Sequence, residues 1–229
     1  MPFDPSQILY EDNHLIVINK QSGQLSDQDD SAQSTLADLV KAYIKEKYGK
    51  PGDVFLGIPH RLDRPTSGAI IYARTSKALE RLTAMLREKE LKKTYWCLVE
   101  KRPNPEKGTL KNHLFRLLDK KMTKVTDNPT KDSKEAILHY QLKLSRAGLH
   151  LLEIQLETGR HHQIRAQLSH IGSPIVGDVK YGYPTSNADG SICLHARMVE
   201  FIHPVKKEPT VITAPVPNNN LWRPFKDNG

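Results

Sequence analysis

One acidic side chain stands among several cations in the stretch from Gly57 to Arg74, which reads G-I-P-H-R-L-D-R-P-T-S-G-A-I-I-Y-A-R. Asp63 is the only acid of this stretch, and His60, Arg61 and Arg64 lie within three residues of it. Cations this close favour the ionised form of a carboxylate. An ionised carboxylate is suited to act as a nucleophile or a base rather than as an acid. The alternative is a loop aspartate that caps a turn and pairs with a neighbouring arginine.

The residues that follow Asp63 predict a loop that leads into a buried strand. Pro65 disfavours the α conformation of the residue before it, so the backbone beside Asp63 is expected to be extended or looped. Residues 66–68, Thr-Ser-Gly, are typical of a turn. Residues 69–73 form a short apolar run of the length expected for a buried strand. The sequence therefore predicts a carboxylate on a shaped loop that feeds into the core.

A second block whose residue types could take part in binding or catalysis runs from Leu156 to Arg165 and reads L-E-T-G-R-H-H-Q-I-R. We expect a strand, then Thr-Gly, then a helix over about 160–171, whose first backbone N–H groups and Arg160 would attract phosphate. The apolar residues of this helix would face the core and leave Arg165 on an adjoining face. A buried or half-buried arginine needs an anionic partner, and within this chain we expect Asp63 to be that partner. The alternative is a structural arginine paired with a surface acid.

The two blocks together resemble the RluA family of pseudouridine synthases. H-R-L-D-R-P-T-S-G followed by an apolar strand is similar to the family's catalytic motif, and T-G-R-H-H-Q-I-R is similar to its motif T-G-R-x-H-Q-I-R. The resemblance extends over about 8–215. It implies that Asp63 is the catalytic residue and that Arg165 pairs with it.

The same resemblance implies roles for residues in smaller blocks. Tyr95, in K-K-T-Y-W, would line the active site, stack on the base and exchange a proton through its hydroxyl; the alternative is a core tyrosine of a strand. Leu194, in L-H-A, would form an apolar wall beside the base. The residues predicted to bind the substrate are His60, Arg61, Arg160, Gln163, Leu194 and Lys20, although for Lys20 a solvated lysine is an equal alternative.

The chain departs from the family pattern at three positions. Gln21 replaces the proline of the family's Lys-Pro-x-Gly, so the loop after Lys20 is expected to be less rigid. His161 stands where many members have threonine, and Gln167 where many have histidine. These departures leave the mapped arginines in place and bear on the detailed contacts with RNA.

The composition favours a polyanionic partner. The chain has 229 residues with a formal net charge of +8 and a sequence pI near 9.4, which favours nucleic acid through phosphate neutralisation, although a generic basic protein has the same balance. Cys97 and Cys193 are predicted to be buried thiols in a reducing compartment. No Cys/His spacing suggests a metal site, and no leader or membrane-spanning run is evident. We therefore expect a cytoplasmic protein without a metal.

Hairpins outnumber helices in the pattern, which predicts an α+β fold with a largely antiparallel sheet. Thr35 and Ser76 are predicted to cap two helices, the second ending at about Glu90. The resemblance implies the pseudouridine synthase fold, a bent, mostly antiparallel mixed sheet flanked by helices with a central active-site cleft. We expect residues 1–229 to form one catalytic domain, a monomer with no S4-like domain, because only seven residues precede Ile8.

The predicted function is an isomerase, an RNA pseudouridine synthase that modifies uridines in tRNA or rRNA stem-loops and thus takes part in tRNA or rRNA processing. No cofactor, nucleotide or membrane is expected to take part. One alternative is a catalytically silent RNA-binding protein of the same fold. Another is a hydrolase such as a nucleosidase, but glycoside hydrolysis typically uses two carboxylates, and these blocks offer no second acid in an equivalent setting.

Overall fold

The computed structural model describes residues 3–28 and 33–226, and the chain forms two compact units that are interleaved along the sequence. The first unit comprises Met1–Lys92 and Ala196–Pro215, and the second comprises Lys93–His195 and Val216–Gly229. Neither unit is therefore one continuous stretch of chain. The prediction of a single catalytic domain over residues 1–229 stays a prediction.

The described residues form ten β-strands and three α-helices. The strands are β1 (Ile8–Glu11), β2 (Leu15–Lys20), β3 (Ser67–Ala73), β4 (Lys92–Val99), β5 (Lys107–Leu117), β6 (Met122–Thr126), β7 (Lys134–Arg146), β8 (Leu149–Leu156), β9 (Leu194–Ile202) and β10 (Pro209–Thr213). The helices are α1 (Leu36–Lys47), α2 (Ser76–Arg87) and α3 (Gln163–His170).

In the first unit, a sheet is built around two buried strands. β2 pairs antiparallel with β1 and with β3, β9 lies beside β3, and β10 pairs antiparallel with β9. Every residue of β3 is buried, as are residues 15–18 of β2. Strands buried on both faces read as continuous apolar runs, which is the pattern that 69–73 shows in the sequence. Alternate side chains of these strands pack with Ala78, Leu82 and Met85 of α2.

In the second unit, five strands pair in the order β4-β8-β7-β5-β6, and each of these pairings is antiparallel. β8 lies between β4 and β7, and β5 lies between β7 and β6. α3 contacts β5 and β6. β5 and β6 form the surface hairpin predicted for the lysine-rich stretch 101–135. The antiparallel pairings and the three helices confirm the predicted α+β class.

Two helix starts differ from the sequence-based prediction. α2 is capped by Thr75, whose side chain accepts a hydrogen bond from the backbone N–H of Ala78 at 3.2 Å, and not by Ser76. It ends at Arg87, before the predicted Glu90. α1 begins as predicted, with Thr35 and Asp38 forming a capping box.

The third helix, α3, begins at Gln163 instead of at about Arg160. His162 has a left-handed backbone with φ of 51°, which a helical residue cannot adopt. The backbone N–H of Arg160 donates to the side-chain oxygen of Gln163 at 3.0 Å, so the residues before α3 form a separate loop. The helix start predicted at Arg160 is therefore wrong by three residues.

Gly68 has to be glycine because of a close backbone approach. Its φ is 113°, and an added Cβ would lie 2.3 Å from the carbonyl oxygen of Ala196. Only glycine adopts this backbone readily and leaves room for the neighbouring strand. Within residues 3–28 and 33–226, no helix is long and apolar enough to span a membrane.

Candidate active site

Asp63 lies on a tight loop immediately before β3, as the sequence predicts. The backbone N–H of Thr66 donates to the carbonyl oxygen of Asp63 at 3.0 Å and closes a turn. The Asp63 side chain is half-buried, while the strand that follows it is completely buried. The carboxylate is thus attached to a backbone that the core holds in place on one side.

A segment formed by residues 20–26, here called the clamp segment, holds the other side of this loop. Three of its residues donate to backbone carbonyls around Asp63: Ser26 Oγ to Leu62 at 2.7 Å, the Gly23 N–H to Arg64 at 2.8 Å, and Ser22 Oγ to Pro65 at 3.0 Å. Ser26 Oγ also accepts from the Leu62 N–H at 3.2 Å. These hydrogen bonds fix the backbone on both sides of Asp63, so the position of its side chain is set before any substrate arrives.

Lys20 belongs to the clamp segment and has no exposed surface. Its ammonium donates to the carbonyl oxygens of Thr66 at 2.6 Å, Gln21 at 3.0 Å and Arg64 at 3.1 Å. Burial lowers the pKa of Lys20 to about 7, although the charge of Asp63 raises it. This geometry favours a role in holding the loop over the predicted contact with RNA.

Gln21, which stands where the family has proline, orders the clamp segment by hydrogen bonds. Its backbone N–H, which a proline would lack, donates to Gln24 Oε1 at 2.8 Å. Its side-chain Nε2 donates to the carbonyl oxygen of Asn19 at 3.1 Å. These bonds order the loop in a way that a proline could not, and the prediction of a less rigid loop stays a prediction.

His60 and Arg61 differ in their surroundings. His60 Nε2 accepts a hydrogen bond from the backbone N–H of Ile71 in β3 at 3.0 Å, so its ring supports the loop. Arg61 is exposed and makes no hydrogen bond or ion pair with any residue of 3–28 or 33–226. Arg61 can therefore reach RNA, whereas the predicted contact of His60 would compete with its bond to the strand. Both substrate roles stay predictions.

Arg165, in the second unit, is held by an acid that the sequence analysis missed. Its Nε and Nη2 donate to the two carboxylate oxygens of Asp178 at 2.7 and 2.8 Å. Both side chains are buried, with exposed fractions of 5% and 1%. A two-point pair of this kind fixes the plane of a guanidinium group. The pairing predicted between Arg165 and Asp63 stays a prediction.

The ring of Tyr181 adds a second constraint on Arg165. The guanidinium carbon lies 5.0 Å from the ring centre, in the range of a cation–π contact. The Tyr181 hydroxyl accepts from the backbone N–H of Thr123 at 2.8 Å and lies 2.9 Å from Nδ1 of His162. Burial raises the pKa of Tyr181, so its hydroxyl stays protonated. Asp178 and Tyr181 both lie in the stretch G-D-V-K-Y-G that follows the second block. This stretch is the part of the sequence that could have indicated the partners of Arg165.

The loop before α3 is ordered by Gln163. Its Oε1 accepts from Thr158 Oγ1 at 2.8 Å and from the Arg160 N–H, while its Nε2 donates to the carbonyl oxygen of Ile137 at 3.1 Å. Because Gln163 is buried, this arrangement favours a positioning role over the predicted contact with substrate. Arg160 is exposed, and its Nε is anchored to the carbonyl oxygen of Glu135 at 2.9 Å.

Tyr95 and Leu194 are both buried in the second unit. Tyr95 lies on β4 opposite Ile154 of β8 and exposes 6% of its surface. Leu194, at the start of β9, exposes 4%. The burial fits the apolar surroundings predicted for a base, and the catalytic and wall roles of the two residues stay predictions.

The two departures in the second block serve internal contacts. Gln167 is buried, and its Nε2 donates to Asn112 Oδ1 at 2.8 Å and to the carbonyl oxygen of Leu110 at 3.1 Å, which joins α3 to β5. His161 Nδ1 lies 2.8 Å from Thr123 Oγ1 and joins the loop to β6. Their replacement therefore bears first on the packing of α3.

The two cysteines are free, buried thiols, as predicted, and burial raises the pKa of Cys193 to about 12. Among the residues that the structure describes, no three or more His, Cys, Asp or Glu side chains are arranged to hold a metal ion.

Comparison with known proteins gives these residues a family context. Residues 14–170 match the model of the RNA pseudouridylate synthase family. An uncharacterized RNA pseudouridine synthase of Synechocystis sp. is 38% identical over 93% of this chain and 66% of its own length. Ribosomal large subunit pseudouridine synthase D of Xylella fastidiosa is 34% identical over 94% of this chain and 67% of its own length. The chain thus spans about two thirds of these relatives.

The fold has a counterpart among solved structures. The structure of human RNA Pseudouridylate Synthase Domain Containing 4 matches with a TM-score of 0.77 at 24% identity, covering 93% of this chain and 89% of that one. This likeness concerns the fold alone. The sequence matches, the two motif blocks and the shared fold agree with one another, and the chain belongs to the RluA family of RNA pseudouridine synthases.

Proposed function

We propose that this protein isomerises specific uridines in structured tRNA or rRNA to pseudouridine, with Asp63 as nucleophile or base. The observation that carries the proposal is the Asp63 loop. Its backbone is bound by the clamp segment on one side and by a buried strand on the other, while the residue itself stays partly exposed. The name of the Xylella fastidiosa relative supports ribosomal RNA as one substrate class.

The reaction needs no external reactant. The bond between N1 of uracil and C1′ of ribose breaks, the uracil turns, and C5 bonds to C1′; a proton then leaves C5 and N1 gains one. Asp63 either adds covalently to the sugar or base, or removes a proton from the sugar. The uridine must first leave its stack, at a cost of a few kcal/mol.

Other residues are given supporting roles in this proposal. Arg165, whose guanidinium plane is fixed by Asp178 and Tyr181, is the counter-ion of the catalytic carboxylate. Tyr95 stacks on the extruded base and takes part in the proton removal at C5. Arg61 grips phosphate or fills the space that the uridine leaves.

We further propose that the protein works as a monomer in the cytoplasm without a nucleotide cofactor. The free, buried thiols of Cys97 and Cys193 support a reducing compartment. The balance of the isomerisation supports the absence of a nucleotide, since the reaction consumes none.

The test combines two measurements on RNA labelled with tritium at C5 of uridine. An isomerase releases the tritium and leaves the RNA mass otherwise unchanged, a nucleosidase releases free uracil, and a silent binding protein does neither. Mapping pseudouridine in tRNA and rRNA from cells with and without the gene then identifies the position. Tight binding to these RNAs with no release of tritium would overturn the proposal in favour of the binding protein.

A further inference from the structure

Lys93 is a half-buried cation without a partner. It is the second residue of β4, and its ammonium makes no hydrogen bond or ion pair with any of the residues described, 3–28 and 33–226. Burial lowers the pKa of this group, and no anion offsets the effect. A charge withdrawn from water without a partner is costly, so such a group indicates that a partner arrives from outside the chain.

The surroundings of Lys93 offer further donors. A Cβ built on Gly159 would lie 3.8 Å from the Lys93 ammonium, so the ammonium lies beside this glycine. The backbone N–H of Gly159 has no acceptor among the residues described. Glu157, two residues before Gly159, accepts from His139 Nε2 at 2.7 Å. An unpaired ammonium and an unpaired N–H therefore lie close together.

The next residue, Arg160, offers donors of its own at the surface. The guanidinium of Arg160 is anchored by its Nε to the carbonyl oxygen of Glu135, and its terminal N–H groups make no bond within the described chain. The observed pair is the Lys93 ammonium beside Gly159, and a cation next to an unsatisfied backbone N–H is a setting that suits phosphate oxygens.

The strand relates Lys93 to the predicted base-binding residue. Lys93 and Tyr95 are two residues apart on β4, so their side chains leave the same face of the strand about 7 Å apart. One nucleotide can span this separation, with its base at one end and its phosphate at the other. Lys92 is the first residue of β4. It is exposed, and its side chain leaves the opposite face of the strand.

We propose that Lys93, with the Gly159 N–H, binds a backbone phosphate of the substrate RNA next to the target uridine. This inference rests on the proposed function, because it takes Tyr95 as the residue that meets the base. The ligand is a phosphodiester on a nucleotide whose base lies against Tyr95, and the site positions that nucleotide without reading its sequence.

The test compares Lys93→Met with Lys92→Met. The two variants lose the same charge from neighbouring residues of one strand and keep an apolar stem of similar length. RNA affinity is measured from 50 to 200 mM salt, together with KM and kcat for pseudouridine formation. Lys93→Met should reduce the slope of log affinity against log salt by about one unit. The ratio of the wild-type RNA affinity to that of the variant should therefore fall about threefold between 50 and 200 mM salt. Lys92→Met should leave the slope unchanged, and Lys93→Arg should restore it.

The other outcomes overturn the inference in different ways. Equal slopes for Lys93→Met, Lys92→Met and wild type, with both variants folded by circular dichroism, would show that Lys93 meets no phosphate of the RNA. In a second outcome, inorganic phosphate raises the melting temperature of wild type but not of Lys93→Met, while the two proteins have equal salt slopes for RNA binding. That result would assign the site to free phosphate. In a third outcome, wild type makes no pseudouridine, but Lys93→Met still lowers the salt slope of RNA binding. That result would refute the proposed function and support the phosphate contact.

Discussion

Replacing Lys20 by methionine removes a cation buried beneath the Asp63 loop, and the loss should be visible in how stability depends on pH. Burial lowers the pKa of Lys20 from 10.5 to about 7 in the folded protein. Between these two values the unfolded chain holds a proton that the folded chain has released. The free energy of unfolding of wild type should therefore rise with pH in this window. Methionine has no proton to release, so the variant should lack this rise.

The magnitude follows from the size of the pKa shift. One pKa unit corresponds to about 1.36 kcal/mol, and the window opens near pH 7. From pH 6 to pH 9, the free energy of unfolding of wild type should increase by about 2.5 kcal/mol relative to the Lys20→Met variant. In the variant the carbonyl oxygen of Thr66 also loses the 2.6 Å hydrogen bond from the lysine nitrogen, a loss that acts at every pH.

The assay is urea unfolding at pH 6, 7, 8 and 9, followed by circular dichroism and tryptophan fluorescence. Lys45→Met, at an exposed lysine of α1, serves as the matched control and should follow wild type. Because the charge of Asp63 raises the pKa of Lys20, Asp63→Asn should move the onset of the rise to lower pH. A difference between wild type and Lys20→Met that stays constant across the range would refute the reasoning, since Lys20 would then be charged throughout.

Three further predictions concern RNA and turnover. Tyr95→Phe should keep RNA affinity within a few-fold and lose turnover if the hydroxyl moves a proton; full turnover in a tritium-release assay would leave only stacking. Asp178→Asn breaks a buried pair and should cost about 3–5 kcal/mol in urea unfolding; in protein still folded, kcat should fall with KM unchanged, and an unchanged kcat would contradict the positioning of Arg165. Wild-type affinity should fall linearly with salt on logarithmic axes, and Arg160→Ala should lower that slope by about one unit; a flat response would contradict electrostatic binding.

Local signals in the sequence predicted the parts of the fold that depend on neighbouring residues. The continuous apolar run 69–73 predicts a strand buried on both faces, and Thr35 with Asp38 predicts a helix start; both are observed. The predicted start of α3 was wrong because His162 adopts a left-handed backbone conformation, which nothing in its residue type requires.

The supports of the candidate site were missed because their partners lie far along the chain. Lys20 binds carbonyl oxygens 44 and 46 residues away, and a backbone acceptor leaves no mark in the sequence of side chains. Asp178 lies 13 residues from Arg165, beyond any helical spacing, so only the fold brings the two together. The motif blocks contain the side chains with chemical function, whereas the tertiary structure determines which residues bind and position those side chains.

The most direct test of the account is pseudouridine formation by Asp63→Asn. Asparagine keeps the size and shape of the side chain but is neither an ionised nucleophile nor a base. Removing a negative charge should not weaken binding to a polyanion, so the variant should bind substrate RNA at least as tightly as wild type and form no detectable pseudouridine. Thermal unfolding of the variant must show a folded protein before the loss is assigned to chemistry. A folded Asp63→Asn protein that still forms pseudouridine above a trace rate would contradict the assignment of the chemistry to Asp63.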